Sequence, residues 1–247
     1  MDKTLFDNLL KIFVEEVKQE FDSTFQKKIK RIFEDSMIRG NNSSLSHVVE
    51  DKFAEFLNNL NIKSNYLFLI DVNLSTMLNG VKKSIRPDIV VIHRDSKKII
   101  AIFELKIDDA RASDTWVEDS NGKLKLLKDI NNNSKMNAKE NYISYSTINV
   151  DAMGDPIKTG TGKLSPKIRH TIGCSQEAEL ACISLCKNNS RTIGDSKEKY
   201  RTSGDYAMYL SFKHFNNQNH TLADLLDKTN LNHQGLYELL IKMNFID

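Results

Sequence analysis

Three residues near the middle of the chain are of types that bind cations and move protons, and they stand where charge is expensive. Asp88 follows Pro87 at the mouth of the run Ile89-Val90-Val91-Ile92. Glu104 and Lys106 interrupt a second run that begins Ile99-Ile100-Ala101-Ile102-Phe103. Both runs are rich in Ile and Val and too short for helices, and the polar turn Asp95-Ser96-Lys97-Lys98 divides them. Residues 84–107 therefore read as a buried β-hairpin. Strand side chains alternate faces, so Glu104 and Lys106 share one, with Ile100 and Ile102 further back on it. Charges on a buried strand are costly unless they are paired or bind a metal.

The elements that must position these residues follow from periodicity. Residues 4–38 carry a helical stripe of Leu5, Phe6, Leu9, Leu10, Phe13, Val14 and Val17, continued by Phe21, Phe25, Ile29, Ile32 and Phe33. A break near Ser23 would split it, and a helical cap or a dimerisation arm is its plain reading. Gly40-Asn41-Asn42-Ser43-Ser44 marks a loop. A second helix is expected from Leu45 to Leu60, capped by Ser43 or Ser44, with Leu45, Val48, Val49, Phe53, Phe56, Leu57 and Leu60 inward. Glu50 borders that stripe on one side and Glu55 on the other. Tyr66 to Leu74 looks like a strand, and Asn79-Gly80 a tight connection into the hairpin.

In this order the sequence resembles the PD-(D/E)xK nuclease superfamily, the restriction-endonuclease-like fold. The matching residues are Pro87-Asp88, Glu104-Leu105-Lys106 and a preceding helix with Glu50, within roughly residues 45 to 107. The resemblance implies an α/β protein whose central mixed sheet is flanked by helices. It would comprise a helical extension over 1–44, a nuclease core over 45–212 and a helical hairpin over 213–247. It also implies Mg²⁺, with Mn²⁺ as a substitute, held by Asp88, Glu104 and the Leu105 carbonyl. A hard cation takes such oxygen ligands, offsets phosphate charge and lowers the pKa of bound water. Lys106 would orient or help deprotonate the attacking water, and Glu50 would hold a metal-bound water or a second ion.

The expected activity is DNA endonuclease, leaving 5′-phosphate and 3′-hydroxyl ends. It most resembles a type II restriction enzyme, a homodimer on double-stranded DNA with a methyltransferase encoded nearby. A repair, recombination or mobile-element nuclease is the alternative within the class. A catalytically inactive DNA-binding regulator is the alternative outside it.

Composition limits these readings without choosing among them. Net charge over 247 residues is only +2, so any nucleic-acid surface must be local. No run approaches the roughly 18 apolar residues of a membrane span. The opening residues are unlike a signal peptide, and three cysteines argue against a disulfide framework, so a reducing cytoplasm is expected. The local basic surface is found between Ile157 and Ser175, where Lys158, Lys163, Lys167, Arg169 and His170 occur with no acid. It lies in an expected loop over 149–176 and suits phosphate contacts. A crossing helix is expected over 134–147 and a further strand around Cys182. Trp116 reads as a packing anchor rather than a base-stacking residue.

Other motifs fail on spacing. Gly160-Thr161-Gly162-Lys163 lacks the first glycine of a phosphate loop at Ile157 and the hydroxyl at Leu164. His170, Cys174, Cys182 and Cys186 fit no zinc knuckle. His214 and His220 make no His-Asn-His site. Helices over 222–226 and 233–243, with Leu236, Leu239 and Leu240 inward, form a plain hairpin or a helix-turn-helix.

Overall fold

The computed structural model describes residues 3–33, 46–106, 115–134, 137–184, 208–209, 234–243 and 245. At its centre β4 (Ile89–His93) and β5 (Lys98–Lys106) form the expected antiparallel hairpin. Lys97, at φ +52°, closes the turn by donating to the His93 carbonyl at 2.9 Å. The ladder slips once: Val91 faces Ala101 and Ile92 faces Ile99, leaving Ile100 as a bulge. Ile100 therefore packs with Ala101, Phe103 and Leu105 on one face, while Ile99 and Ile102 enter the other. Strict alternation had put Ile100 behind Glu104; the inserted residue changes that.

The strand expected over 66–74 is two strands. β1 (Tyr66–Ile70) pairs with β4, and the chain then turns at Asp71, φ +52°. Beyond it β2 (Leu74–Leu78) and β3 (Val81–Ile85) form a second hairpin. Its turn is Asn79-Gly80, both at positive φ, a combination whose twist suits a two-residue connection.

Helices cover both faces of this sheet. On one side α1 (Lys3–Phe33), α2 (Ser46–Leu60) and the C-terminal helix, α4 (Gln234–Lys242), share an aromatic-rich cluster. Phe6, Phe13, Phe53 and Leu239 meet Val91 and Phe103 there. α1 is continuous through Ser23. On the other side lies α3 (Trp116–Ser134), which replaces the crossing helix expected over 134–147. Its buried stripe, Trp116, Ser120, Leu127 and Ile130, is thin and set among Asn, Asp and Lys, which hides it from pattern reading. Tyr142–Thr147 is instead strand β6, with Ile143 and Tyr145, two apart, entering the α3 cluster.

The expected loop over 149–176 gives way at Ile168 to a long strand, β7 (Ile168–Ser184). Residues 168–172 pair antiparallel with β6, whereas 173–184 run parallel to β5. A parallel partner, β8 (Met208–Tyr209), joins at Ile183. The sheet order is β1-β4-β5-β7-β6-β2-β3, with β8 off that path. At Gly173 an added Cβ would lie 3.2 Å from Asn131 Oδ1 and 3.3 Å from Lys98, so β7 passes close to α3 where it changes partner. Trp116, Val117, Leu127 and Ile130 of α3 join Val90, Ile99 and Ile102 from one half of the sheet to Leu74, Ile143 and Ile172 from the other. No described helix is long and apolar enough to cross a membrane. The expected features at 34–44, Cys186, His214, His220 and 222–226 lie outside the described residues.

Candidate active site

The hairpin register sets the site. Ile89 faces Phe103, which brings Asp88 level with Glu104. The Leu105 N–H donates to Asp88 Oδ2 at 2.6 Å, fixing that carboxylate beside the Glu104–Leu105 peptide. Asp88 in turn accepts the Asp71 N–H on its own carbonyl at 2.7 Å. Glu104 is 2% exposed. Its ion-pair partner is Lys123 of α3, whose Nζ lies 2.6 Å from Oε1 and 3.4 Å from the Arg86 carbonyl. On the parallel side Glu104 faces Cys182 of β7.

Lys106 is half-buried, with Nζ 5.6 Å from the centre of the Trp116 ring. Such a cation–π contact holds the ammonium near Glu104 without neutralising it. Trp116 is itself buried in the α3 cluster, in keeping with a packing anchor. Of the two acids on α2, Glu50 is the one turned in, at 8% exposed. Glu55 is exposed and pairs with Lys52 at 3.5 Å.

These carboxyls are held away from their ordinary ionisation. Burial, then the Asp88 charge, pushes Glu104 up to about 7, against the pull of Lys123 and Lys106. Asp88 is raised by burial, opposed by the Leu105 N–H, Lys106 and Lys123. Glu50 is raised by burial and then by Asp88 and Asp71, with His47 opposing. Crowded acids of this kind hold a proton or a cation between them. The donors at Asp88 and Glu104 are carboxylate oxygens, which fit a hard divalent ion such as Mg²⁺ or Mn²⁺. Leu105, whose carbonyl the resemblance adds to that set, follows Glu104 and is tied to Asp88 by its N–H.

Sequence reading missed Lys123, Asp71, Arg86 and His47. Lys123 carried a faint signal, since it falls three residues after Ser120 and four before Leu127 on the buried stripe of α3. Asp71 and Arg86 form an ion pair, and Arg86 Nε also donates to the Asp71 carbonyl at 3.3 Å. That contact joins two strand ends, and no local pattern announces it.

The basic segment divides into two parts. Lys158, Lys163 and Lys167 are exposed on a connection folded by the bridges Val150↔Pro156 and Lys158↔Leu164. Arg169 and His170 belong to β7 and are engaged there. Arg169 lies 4.5 Å over the Tyr142 ring and donates to Ser144 Oγ at 3.0 Å. His170 stacks on Tyr145 at 4.8 Å and lies 2.8 Å from Thr147 Oγ1. β2 and β6 are antiparallel, Ser75 facing Ser144, so the connection leaves β6 at the end where β2 enters from Asp71. Cys174 and Cys182 are both buried, and burial pushes the Cys174 thiol up to about 12, unlike a zinc ligand.

Comparison with protein-family models, with curated proteins and with solved structures gave no match.

Proposed function

We propose that this chain is a metal-dependent DNA endonuclease with a restriction-endonuclease-like core, of the type II restriction kind. The observation that carries the reading is the Asp88 carboxylate on the Leu105 N–H, beside a Glu104 that is almost wholly buried. Two acids and a lysine converge at one place although sixteen positions separate the two acids. The order α2, β1, β4, β5, α3, β7, with β5 and β7 parallel, supports the same core.

Asp88, Glu104 and the Leu105 carbonyl would hold Mg²⁺, which when bound would neutralise phosphate charge and lower the pKa of a bound water. Lys106 orients the attacking water, with Trp116 limiting where its ammonium can go. Lys123 of α3 offsets the negative charge of Glu104. Lys158, Lys163 and Lys167 contact the phosphates of double-stranded DNA at the sheet end shared with Asp71. Hydrolysis leaves 5′-phosphate and 3′-hydroxyl ends, and a homodimer cuts both strands.

One observation favours a second reading, a catalytically inactive DNA-binding protein on the same fold. Lys123 already satisfies Glu104 at 2.6 Å, as it would in a site that has exchanged an ion for an ammonium. Plasmid DNA incubated with Mg²⁺ or Mn²⁺, beside Lys106→Ala, decides between them. Discrete fragments that Lys106→Ala fails to produce support the nuclease. Retained binding with no cleavage of duplex, branched or single-stranded DNA sinks it.

A further inference from the structure

His47, Glu50 and Asp71 lie beside the proposed nuclease centre, and the inference rests on that reading: Glu50 is the acid to which the resemblance gives a metal-bound water or a second ion, and His47 and Asp71 are residues it does not include. Each offers one ligand atom, and the three atoms lie within 4.8 Å of one another. His47 Nδ1 is 3.8 Å from Glu50 Oε2 and 3.9 Å from Asp71 Oδ2. Those separations are too long for hydrogen bonds. They are close to the spacing of donors around one ion, since ligands about 2.1 Å from a tetrahedral metal stand about 3.4 Å apart. His47, with its side chain 71% exposed, has room to turn inward by the difference.

A second observation concerns Glu50. It is 8% exposed, yet its carboxylate accepts no hydrogen bond from any described residue. A buried acid in that condition calls for a cation. Asp71 is fixed for the purpose by its backbone. Its N–H is bound to the Asp88 carbonyl, its carbonyl to Arg86 Nε, and its φ of +52° is one an aspartate tolerates. His47 and Glu50, three apart on the first turn of α2, present their groups on one helix face.

From this geometry we infer that His47, Glu50 and Asp71 form a second divalent-cation site, for a transition ion of the zinc, cobalt or manganese kind. An imidazole among two carboxylates favours those ions over Mg²⁺ and Ca²⁺, which take oxygen throughout. Arg86, paired with Asp71 from outside, holds that carboxylate in place and partly covers its charge. The site clamps the first turn of α2 to the turn between β1 and β2.

The test is metal binding by the full-length protein, without DNA. Co²⁺ is titrated into wild type, His47→Ala and Glu104→Gln, with visible absorption reporting nitrogen ligation and calorimetry the stoichiometry. Mg²⁺ is titrated in parallel. His47→Ala alters a largely exposed side chain, and its thermal midpoint checks that it folds. The expected result is a Co²⁺ site weakened at least about tenfold in His47→Ala, retained in Glu104→Gln, with Mg²⁺ binding unchanged in His47→Ala. Equal Co²⁺ affinity and spectra in wild type and His47→Ala would overturn the site. Co²⁺ bound only through Glu104 would overturn it equally. Failure of the nuclease reading is separately visible: a protein that cuts no DNA yet loses Co²⁺ on His47→Ala keeps this site and loses that activity.

Discussion

The two faces of β5 hold side chains from one short strand and differ in almost everything else. Ala101, Phe103 and Leu105 enter a cluster where α1, α2 and α4 supply phenylalanines and leucines. Ile102, Glu104 and Lys106 face α3, and there the apolar packing gives way to an acid, two ammonium groups and a second acid, Asp88, just ahead of β4. Burial is nearly complete on both sides of the strand as far as Leu105. What separates a core from a site here is whether burial works against the charge of the groups it encloses. On the α3 face it does, since its acids are raised against ionisation by burial even with Lys123 and Lys106 present.

The sharpest way to break this contrast is to neutralise one acid on the α3 face. Asp88→Asn or Glu104→Gln should lower DNA cleavage by about 10²–10³-fold or more, as expected when a group stabilising transition-state charge is lost. Timed plasmid digestion measures this, and circular dichroism should show an unchanged fold. A variant cutting at more than a tenth of the wild-type rate would move the chemistry elsewhere. On the opposite face the effect should reverse its character. Phe103→Ala should cost about 3–5 kcal/mol in urea unfolding, with little change in cleavage per folded molecule.

Lys123→Met sharpens the comparison from within the charged face. It leaves Glu104 buried without its ammonium, and a loss of about 1–3 kcal/mol is expected, the part-exposed lysine keeping it below the usual range. That loss should show at pH 8 and largely vanish at pH 5, where Glu104 is protonated.

The mildest test is the pH profile of the metal-free protein. Glu104 titrates near 7 in the fold against an ordinary 4.5, so the folded state holds its proton more tightly. Its contribution to stability is full below about pH 4.5 and is lost as pH rises through 7. The thermal midpoint should therefore fall by a few degrees between pH 6 and 8. Glu104→Gln should flatten that slope, and Mg²⁺ should oppose it. A midpoint that rises across the same interval in the wild type would contradict the burial argument.

How much of this was legible beforehand depends on how local each signal is. The hairpin could be read because Ile and Val crowd both of its strands and Asp95 to Lys98 separate them. Glu50 was readable because it borders a strong helical stripe. α3 was missed because its buried residues are spaced among asparagines and lysines that look like solvent-facing surface. Lys123 went with it, as a lysine on a stripe nobody had drawn. β7 was masked at its start by Lys167, Arg169 and His170, whose polarity suits the outer part of a strand as well as a loop. Asp71 and His47 gain meaning only when a turn and a helix end meet in space.

The bulge at Ile100 has a consequence for how this chain tolerates changes of length. Val91 faces Ala101 and Ile92 faces Ile99, so removing Ile100 would leave a regular ladder with every later residue on its present side. Glu104 would still stand level with Asp88. Removing Ile102 or Phe103 instead would slide the end of β5 by one place and carry Glu104 toward the phenylalanine cluster. A one-residue deletion at Ile100 thus keeps the pairing with β4 and the site in register, whereas one beyond Ala101 displaces the site.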